Sequence, residues 1–206
     1  AIATVITLNV LTTQGSNNQS GNASLVSISL PSLTTQTSDN QSNNAIATVI
    51  TLNVLTTQGS NNQRNNTLAT DILLQLLTTQ GSNNQSNNAA LTKLILQALE
   101  TQVDSNQISN NAMTTLTLPS LTSQTISNQS NNLLLATLNM PLLTSQGNNN
   151  QNANPALTLI ATPLLTTLGF SNYIGCTFPI LTIDVDASLF GAADILLAQA
   201  GGATII

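Results

Sequence analysis

Residues 12–22 read TTQGSNNQSGN, and edited copies of this stretch return along the chain as far as residue 151. Three amide side chains in it recur with a 22-residue period, and no insertion or deletion breaks the register across seven copies. The first glutamine column is Gln14, Gln36, Gln58, Gln80, Gln102, Gln124 and Gln146. The second glutamine column is Gln19, Gln41, Gln63, Gln85, Gln107, Gln129 and Gln151. Between them lies the asparagine column Asn18, Asn40, Asn62, Asn84, Asn106, Asn128 and Asn150. A fixed period of this length predicts a repeat architecture.

Apolar columns accompany the amide columns when each copy is numbered from 1 to 22, starting at Ala1. Position 11 is leucine in all eight copies, from Leu11 to Leu165, and position 6 is always Ile or Leu. Positions 6 and 8 share one face of a strand, because strand side chains alternate. Position 9 is proline in four copies, and proline lacks the N–H that a ladder needs. We therefore expect a strand over about positions 2–8, a corner at 9–10 and a short strand over 11–14.

Small and polar residues fill the rest of each copy. Position 15 is glycine in five of the eight copies, which favours a turn over positions 15–18 because glycine tolerates positive φ. A short segment over positions 19–21 follows, and asparagine at position 22, from Asn22 to Asn154, is expected to make the last bend.

These patterns predict an all-β fold, a β-solenoid of about eight 22-residue coils over residues 1–176. Coils stacked at roughly 4.8 Å place equivalent residues above one another. The amide columns then become ladders in which the carbonyl oxygen of each amide accepts from the NH₂ of the next coil. A helical repeat is the alternative for Leu-rich stretches such as residues 91–99, but Thr, Ser and Asn are poor in helix interiors.

The eighth coil departs from the pattern, because Leu168, Tyr173 and Cys176 replace amide residues. From Thr177 the 22-residue register is lost. We expect residues 177–206 to form a cap or a segment that joins one subunit to the next. Solenoids usually need polar caps to stay monomeric, and the first coil shows none in the sequence, so its strand edge is expected to be open to pairing.

Composition excludes several functional classes. Charged residues make up 4% of the sequence, against roughly 25% in ordinary soluble domains, and the net charge is −5. One Lys and one Arg do not make a nucleic-acid surface. No apolar run reaches the roughly 18–20 residues that a membrane span needs. With no His, one Cys and scattered carboxylates, we expect no enzyme activity, no cofactor and no metal site.

The Gln14, Asn18 and Gln19 columns, with glycine at position 15, resemble the 22-residue Gln/Asn repeats of curli, the bacterial functional-amyloid fibres. The similarity is one of repeat type and covers residues 1 to about 176. It implies a secreted subunit that polymerises head to tail into a filament at the cell surface. The sequence also leaves open the repeat stalk of a larger surface adhesin.

An ice-binding solenoid is a third hypothesis, based on the threonines at positions 12 and 13, beginning with Thr12 and Thr13. Adjacent strand residues point to opposite faces, which weakens the ice-binding hypothesis.

Glycans are a further expectation. Asn-x-Ser/Thr sequons, the acceptors for N-linked glycans, occur at Asn18, Asn22, Asn40, Asn65, Asn84 and Asn128.

Overall fold

A computed structural model describes residues 4–176, 182–184 and 204–205, the last two segments by their backbone alone. Within these residues the fold is all-β, so the helical alternative is wrong. None of the described residues forms a helix that could cross a membrane. Three-residue strands at positions 5–7 are β1 Val5–Thr7, β3 Ser27–Ser29, β5 Val49–Thr51, β7 Asp71–Leu73, β9 Lys93–Ile95, β11 Thr115–Thr117, β13 Thr137–Asn139 and β15 Leu159–Ala161. Two-residue strands at positions 13–14 are β2 Thr13–Gln14, β4 Thr35–Gln36, β6 Thr57–Gln58, β8 Thr79–Gln80, β10 Thr101–Gln102, β12 Ser123–Gln124, β14 Ser145–Gln146 and β16 Thr167–Leu168.

The strands pair in parallel with the equivalent strand of the next coil, which confirms the β-solenoid. Ile6 pairs with Ile28 and Gln14 pairs with Gln36, so each residue meets the same position of the following repeat. The strands at positions 13–14 form one eight-stranded sheet, from β2 to β16. The strands at positions 5–7 form two sheets, one from β1 to β9 and one that starts at β11.

Two tight turns per coil explain why the strands are shorter than the sequence predicts. In the first, the Leu33 N–H donates to the Leu30 carbonyl at 3.2 Å, across positions 8–11. Proline at position 9 is then the second turn residue, which its fixed φ suits. In the second, the Leu91 N–H donates to the Asn88 carbonyl at 3.0 Å. The corner at positions 9–10 is confirmed, while the turns reduce the strands to positions 5–7 and 13–14.

The bend after the second strand uses positive φ at positions 17, 19 and 21. In the third coil Asn61, Gln63 and Asn65 have φ of 63°, 48° and 55°. Only Gly21 and Gly175, both at position 21, are glycines with positive φ among the described residues. The expectation that position 15 adopts positive φ is therefore wrong. The left-handed residues alternate with ordinary ones, which turns the side chains at positions 18 and 22 inward.

The hydrophobic core occupies one half of each coil, which we call the apolar half. It comprises positions 3, 6, 8 and 11, whose side chains form one continuous cluster along the solenoid. Leu33, Leu55 and Leu77 at position 11 are fully buried, as predicted. Position 3 is a core column that the sequence interpretation did not single out. Its members are Leu25, Ala47, Ala69, Leu91, Met113, Leu135 and Leu157.

Beyond residue 176 the backbone of sheet β11–β15 continues into β17 Thr182–Asp184 and β18 Thr204–Ile205. Leu159 pairs with Thr182, one residue beyond the position that the repeat period gives. Thr182 then pairs with Thr204, at the repeat period again. The register is therefore shifted by one residue there rather than lost. The expectation that residues 177–206 form a cap or joining segment concerns residues that, apart from these two strands, lie outside the described part of the protein.

Candidate functional site

The other half of each coil, which we call the amide half, buries polar side chains in place of apolar ones. It comprises positions 14, 18, 19 and 22. Asn62, Gln63 and Asn66 are fully buried, and Gln58 is 3% exposed. A buried amide without partners costs about 1–3 kcal/mol, so the arrangement depends on how completely these groups are hydrogen-bonded. The predicted ladder residues are brought together here, in columns that run along the solenoid.

The first glutamine column is a ladder whose donors point toward the C-terminal end. Gln36 Nε2 donates to Gln58 Oε1 at 3.0 Å. The same bond recurs at every step up to Gln124 Nε2, which donates to Gln146 Oε1 at 3.1 Å. The predicted direction, each C=O accepting from the next coil, is reversed in this column. Gln14 is the exception, because its Nε2 donates to Gln19 Oε1 in its own coil.

The second glutamine column runs the opposite way. Gln63 Nε2 donates to Gln41 Oε1 at 2.8 Å, toward the N-terminal end. This direction, which is the predicted one, holds up to Gln151 Nε2, which donates to Gln129 Oε1 at 3.0 Å. The second to seventh coils therefore carry two neighbouring ladders of opposite direction.

The two glutamine columns are joined at both ends. In the seventh coil Gln146 Nε2 donates to Gln151 Oε1 at 3.3 Å and to the Tyr173 hydroxyl at 3.2 Å. Near the N-terminal end Gln41 Nε2 donates to Gln14 Oε1 at 3.0 Å as well as to Gln19. The series of hydrogen bonds thus rises in one column, crosses over and descends in the other. Gln36 Oε1, next to the turned-aside Gln14, is left without a partner.

The asparagine column at position 18 braces the backbone, and only its first step has an amide-to-amide bond, from Asn18 Nδ2 to Asn40 Oδ1 at 3.2 Å, among the described residues. The Asn62 N–H donates to Asn84 Oδ1 at 2.8 Å. Asn84 Nδ2 in turn donates to the carbonyls of Gly59 and Gly81, at 3.0 and 2.9 Å. The expectation for this column is corrected, because asparagine is one methylene shorter than glutamine and reaches the main chain instead.

Position 22 carries a fourth buried column that the sequence interpretation treated only as a bend. The Asn66 N–H donates to Asn88 Oδ1 at 2.9 Å, and Asn88 Nδ2 donates to the Gln63 carbonyl at 2.7 Å. The same pair of bonds recurs along the column. Its fully buried members are Asn44, Asn66, Asn88, Asn110, Asn132 and Asn154. The recurrence of asparagine in seven copies, from Asn22 to Asn154, was the signal for this column, and it is as strong as the signal from the glutamines.

The residue at position 15 bears on whether the asparagine at position 18 is satisfied. Where position 15 is Gly59, its carbonyl accepts from Asn62 Nδ2 at 3.0 Å, and the carbonyl of Val103 accepts in the same way in the fifth coil. Asn40 Nδ2 and Asn128 Nδ2 have no partner, and they belong to the two coils with threonine at position 15. Val103 shows that this acceptor does not require glycine. Glycine instead gives room to the neighbouring coil, because a Cβ at Gly59 would lie 3.0 Å from the Thr37 carbonyl carbon.

The amide half ends in the eighth coil, where Tyr173 takes position 19 and Cys176 takes position 22. Both are buried, as expected for the lone cysteine. The Cys176 thiol donates to the Gln151 carbonyl at 3.1 Å. Burial raises the pKa of Cys176 to about 11 and raises the pKa of Tyr173 well above its usual range. Both groups are therefore neutral at physiological pH.

Three of the predicted sequons are built into these columns. Asn40, Asn84 and Asn128 are fully buried, so the folded coils leave no room for a glycan there. In the described part of the protein no group of three His, Cys, Asp or Glu side chains is placed to hold a metal ion. What the amide half provides chemically is a directional match between one coil and the next.

No protein-family model, curated protein or solved structure matches this protein.

Proposed function

We propose that the protein is a structural subunit of an extracellular, self-assembling filament, in which coils stack within a subunit and subunits stack head to tail. The observation that supports this proposal is the equivalence of successive coil faces. The N–H at position 18 donates to the next asparagine Oδ1 in every step from Asn18–Asn40 to Asn150–Asn172. The first coil of a second copy carries the same position-18 donor and acceptor at Asn18.

The low charge of the surface supports the same proposal. With 4% charged residues, copies of this protein repel one another weakly. Two ion pairs among the described residues, Arg64–Asp39 at 3.7 Å and Lys93–Asp71 at 4.0 Å, neutralise some of that charge. The repeat type that this protein shares with curli points in the same direction. A surface-adhesin stalk would use the same stacking as a spacer, and a native subunit mass well above 21.4 kDa would favour it.

The filament proposal is tested by electron microscopy and fibre diffraction of the purified full-length protein. Expected are unbranched fibres with a reflection at about 4.8 Å along the fibre axis, the spacing of strands stacked along it. A variant truncated after residue 176 should assemble poorly or without control of length, while hydrogen exchange shows residues 4–176 still protected. A full-length protein that stays monomeric at high concentration contradicts the proposal.

A second candidate function, ice binding, is favoured by the threonines at positions 12 and 13. Position 12 precedes the strand, so both side chains of a pair such as Thr56 and Thr57 are exposed, and the expectation that they face opposite ways is wrong. The Thr56 hydroxyl donates to the Thr34 carbonyl at 3.1 Å, and the same bond fixes Thr34, Thr78, Thr122, Thr144 and Thr166. The result is a regular double row of threonine and serine side chains, interrupted by Glu100.

Thermal hysteresis decides between the two functions. If the double row binds ice, Thr57→Lys should abolish thermal hysteresis. The matched control Thr51→Lys, on a different strand of the same coil, should leave it unchanged. Absence of thermal hysteresis in the unmodified protein removes ice binding and leaves the filament proposal standing.

A further inference from the structure

The apolar half opens between the fifth and sixth coils, where β9 and β11 do not pair. The amide half of the same two coils is continuous. Thr101 pairs with Ser123, and Gln102 Nε2 donates to Gln124 Oε1 at 2.8 Å. The interruption is therefore local to one side of the solenoid. We call it the slit, bounded by positions 4–8 of the two coils, residues 92–96 and 114–118.

Backbone groups that are paired in other coils are unpaired along the slit. At closed steps the N–H at position 8 donates to the next coil, as Leu74 does to the Ile95 carbonyl at 3.0 Å. The N–H at position 4 donates to the previous coil, as Thr92 does to the Thr70 carbonyl at 3.1 Å. Among the described residues, neither the Leu96 N–H nor the Thr114 N–H makes its equivalent bond. Both walls of the slit are thus strand edges with free donors and acceptors.

The slit is closed at both of its ends. On one side the Asn88 N–H donates to Asn110 Oδ1 at 3.0 Å. On the other side the Ser120 hydroxyl donates to the Gln97 carbonyl at 2.7 Å. The opening is a gap one strand long in an otherwise intact wall.

The space in the slit is about 290 Å³, close to the lower limit of about 300 Å³ for ligand pockets. Its walls include Thr92, Leu94, Thr115 and Thr117. Leu94 is only half-buried, whereas its equivalents Ile72 and Leu116 are buried. An occupant therefore needs an apolar group that covers Leu94 and a polar backbone that meets both edges.

We propose that the slit binds an extended peptide segment, which adds as a parallel strand between β9 and β11. Two observations favour a peptide strand over a compact small molecule. The free groups on both walls occupy positions that are paired with the neighbouring strand at closed steps. The sheets on either side, β7–β9 and β11–β13, keep the register that a strand between them would continue. Main-chain hydrogen bonds supply affinity in such strand addition, and side-chain pockets supply specificity. The matching chemistry is Thr-x-Ile-x-Leu, the pattern of residues 48–52.

Hydrogen exchange tests whether the slit is open. The amides of Leu96 and Thr114 should exchange faster than their closed counterparts Leu74 and Thr92.

A cross-linking control uses the Cys176→Ser background. Asp71→Cys with Lys93→Cys should form a disulfide readily, because their Cα atoms are adjacent ladder partners. Lys93→Cys with Thr115→Cys, the same positions across the slit, should form one slowly. Equal rates and equal exchange would overturn the proposal.

Binding is tested with the acetylated and amidated peptide Thr-Val-Ile-Thr-Leu. We expect it to slow exchange at Leu96 and Thr114 by on the order of tenfold, as strand addition protects edge amides. The same peptide with N-methylated Ile and Thr should give no protection, because it cannot donate. Two outcomes would show that the slit is not a strand-binding site. In the first, the peptide slows exchange only at β1 and the other sheet ends. In the second, the slit is open but the peptide slows exchange nowhere.

Discussion

The two halves of each coil meet the same requirement, a buried interior that repeats from one coil to the next, by different means. The apolar half stacks Leu and Ile side chains, while the amide half stacks Gln and Asn side chains that are each aimed at a partner. The amide half keeps its bonds across every step from the second coil to the seventh, while its first glutamine ladder starts at Gln36. The apolar half opens at the slit, although Leu96 and Leu116 on its walls remain buried.

The difference arises because hydrogen bonds depend on direction and hydrophobic contacts do not. Hydrophobic contact is non-directional and proportional to the area removed from water, so it tolerates a shift or a gap between coils. A buried amide must keep its donor and acceptor distances or lose about 1–3 kcal/mol per unpaired group. We infer that the apolar half supplies most of the stability and that the amide half sets the register. The predictions that follow test this division.

The largest effect is expected from Asn88→Ala in the amide half. It leaves the Asn66 N–H and the Gln63 carbonyl buried without partners. Two such groups cost about 2–6 kcal/mol in the free energy of unfolding, measured by denaturant titration. The neighbouring Asn87→Gly is the control, because its φ of 56° suits glycine and its side chain is exposed. Similar losses in both variants would mean that the column does not set the register.

The second prediction compares conservative changes in the two halves of neighbouring coils. Leu99→Met keeps an apolar side chain of similar volume and should cost less than about 1.5 kcal/mol. Gln85→Met keeps the shape but breaks the bonds to Gln63 Oε1 and from Gln107 Nε2. Its cost should lie in the lower part of the same range of about 2–6 kcal/mol, because the two unpaired groups are side-chain amides that can reorient, unlike the backbone groups freed by Asn88→Ala. The division between the halves fails if Leu99→Met is the more damaging of the two.

The third prediction concerns pH and the eighth coil. The pKa of the Cys176 thiol is 9.0 when exposed and about 11 in the folded protein, so between these values the folded state binds more protons than the unfolded state. The contribution of the buried thiol to the free energy of unfolding is therefore fully present below pH 9 and is lost as the pH rises toward 11. Tyr173, whose pKa is raised above its ordinary 10.0, acts in the same direction. Denaturation followed by the fluorescence of this single tyrosine measures the fall.

Cys176→Ser is the control for the pH experiment, because it removes the thiol and should leave only the contribution of Tyr173. A stability that stays constant up to pH 11 in the unmodified protein would contradict burial of these two groups in the amide half.

The smallest effect is expected from the surface charges, which belong to neither half. Arg64 and Asp39 lie 3.7 Å apart, and about a third of each side chain is exposed. Arg64→Gln should change the free energy of unfolding by about 0–1 kcal/mol, and added salt should change it little. A larger loss in denaturant titration would mean that charge contributes to holding the coils together.

Much of the fold could be predicted from the sequence, because a repeat turns local choices into columns. The invariant Leu11 and Gln14 columns indicated a stacked solenoid, and proline at position 9 marked the corner. The strand lengths could not be read in the same way, because apolar residues such as Leu33 serve turns as well as strands. Position 3 was missed because it varies between alanine and larger residues.

The candidate site was predictable in its members more than in its bonds. Periodicity placed Gln14, Asn18 and Gln19 inside, but it carries no information on which way an amide faces. The asparagine column bonds to the backbone because the asparagine side chain is one methylene shorter than that of glutamine. The slit has no signature in the repeat at all, because Lys93 and Thr115 are ordinary outward-facing residues at position 5.

The opposite directions of the two glutamine columns have an electrostatic consequence. Amides aligned head to tail add their dipoles, as peptide groups do along an α-helix, where the sum amounts to roughly half a charge at each end. One glutamine column alone would therefore build up a growing macrodipole with every added coil. The dipoles of two antiparallel columns cancel along the solenoid axis, so adding coils builds up no charge at the ends from the glutamine amides.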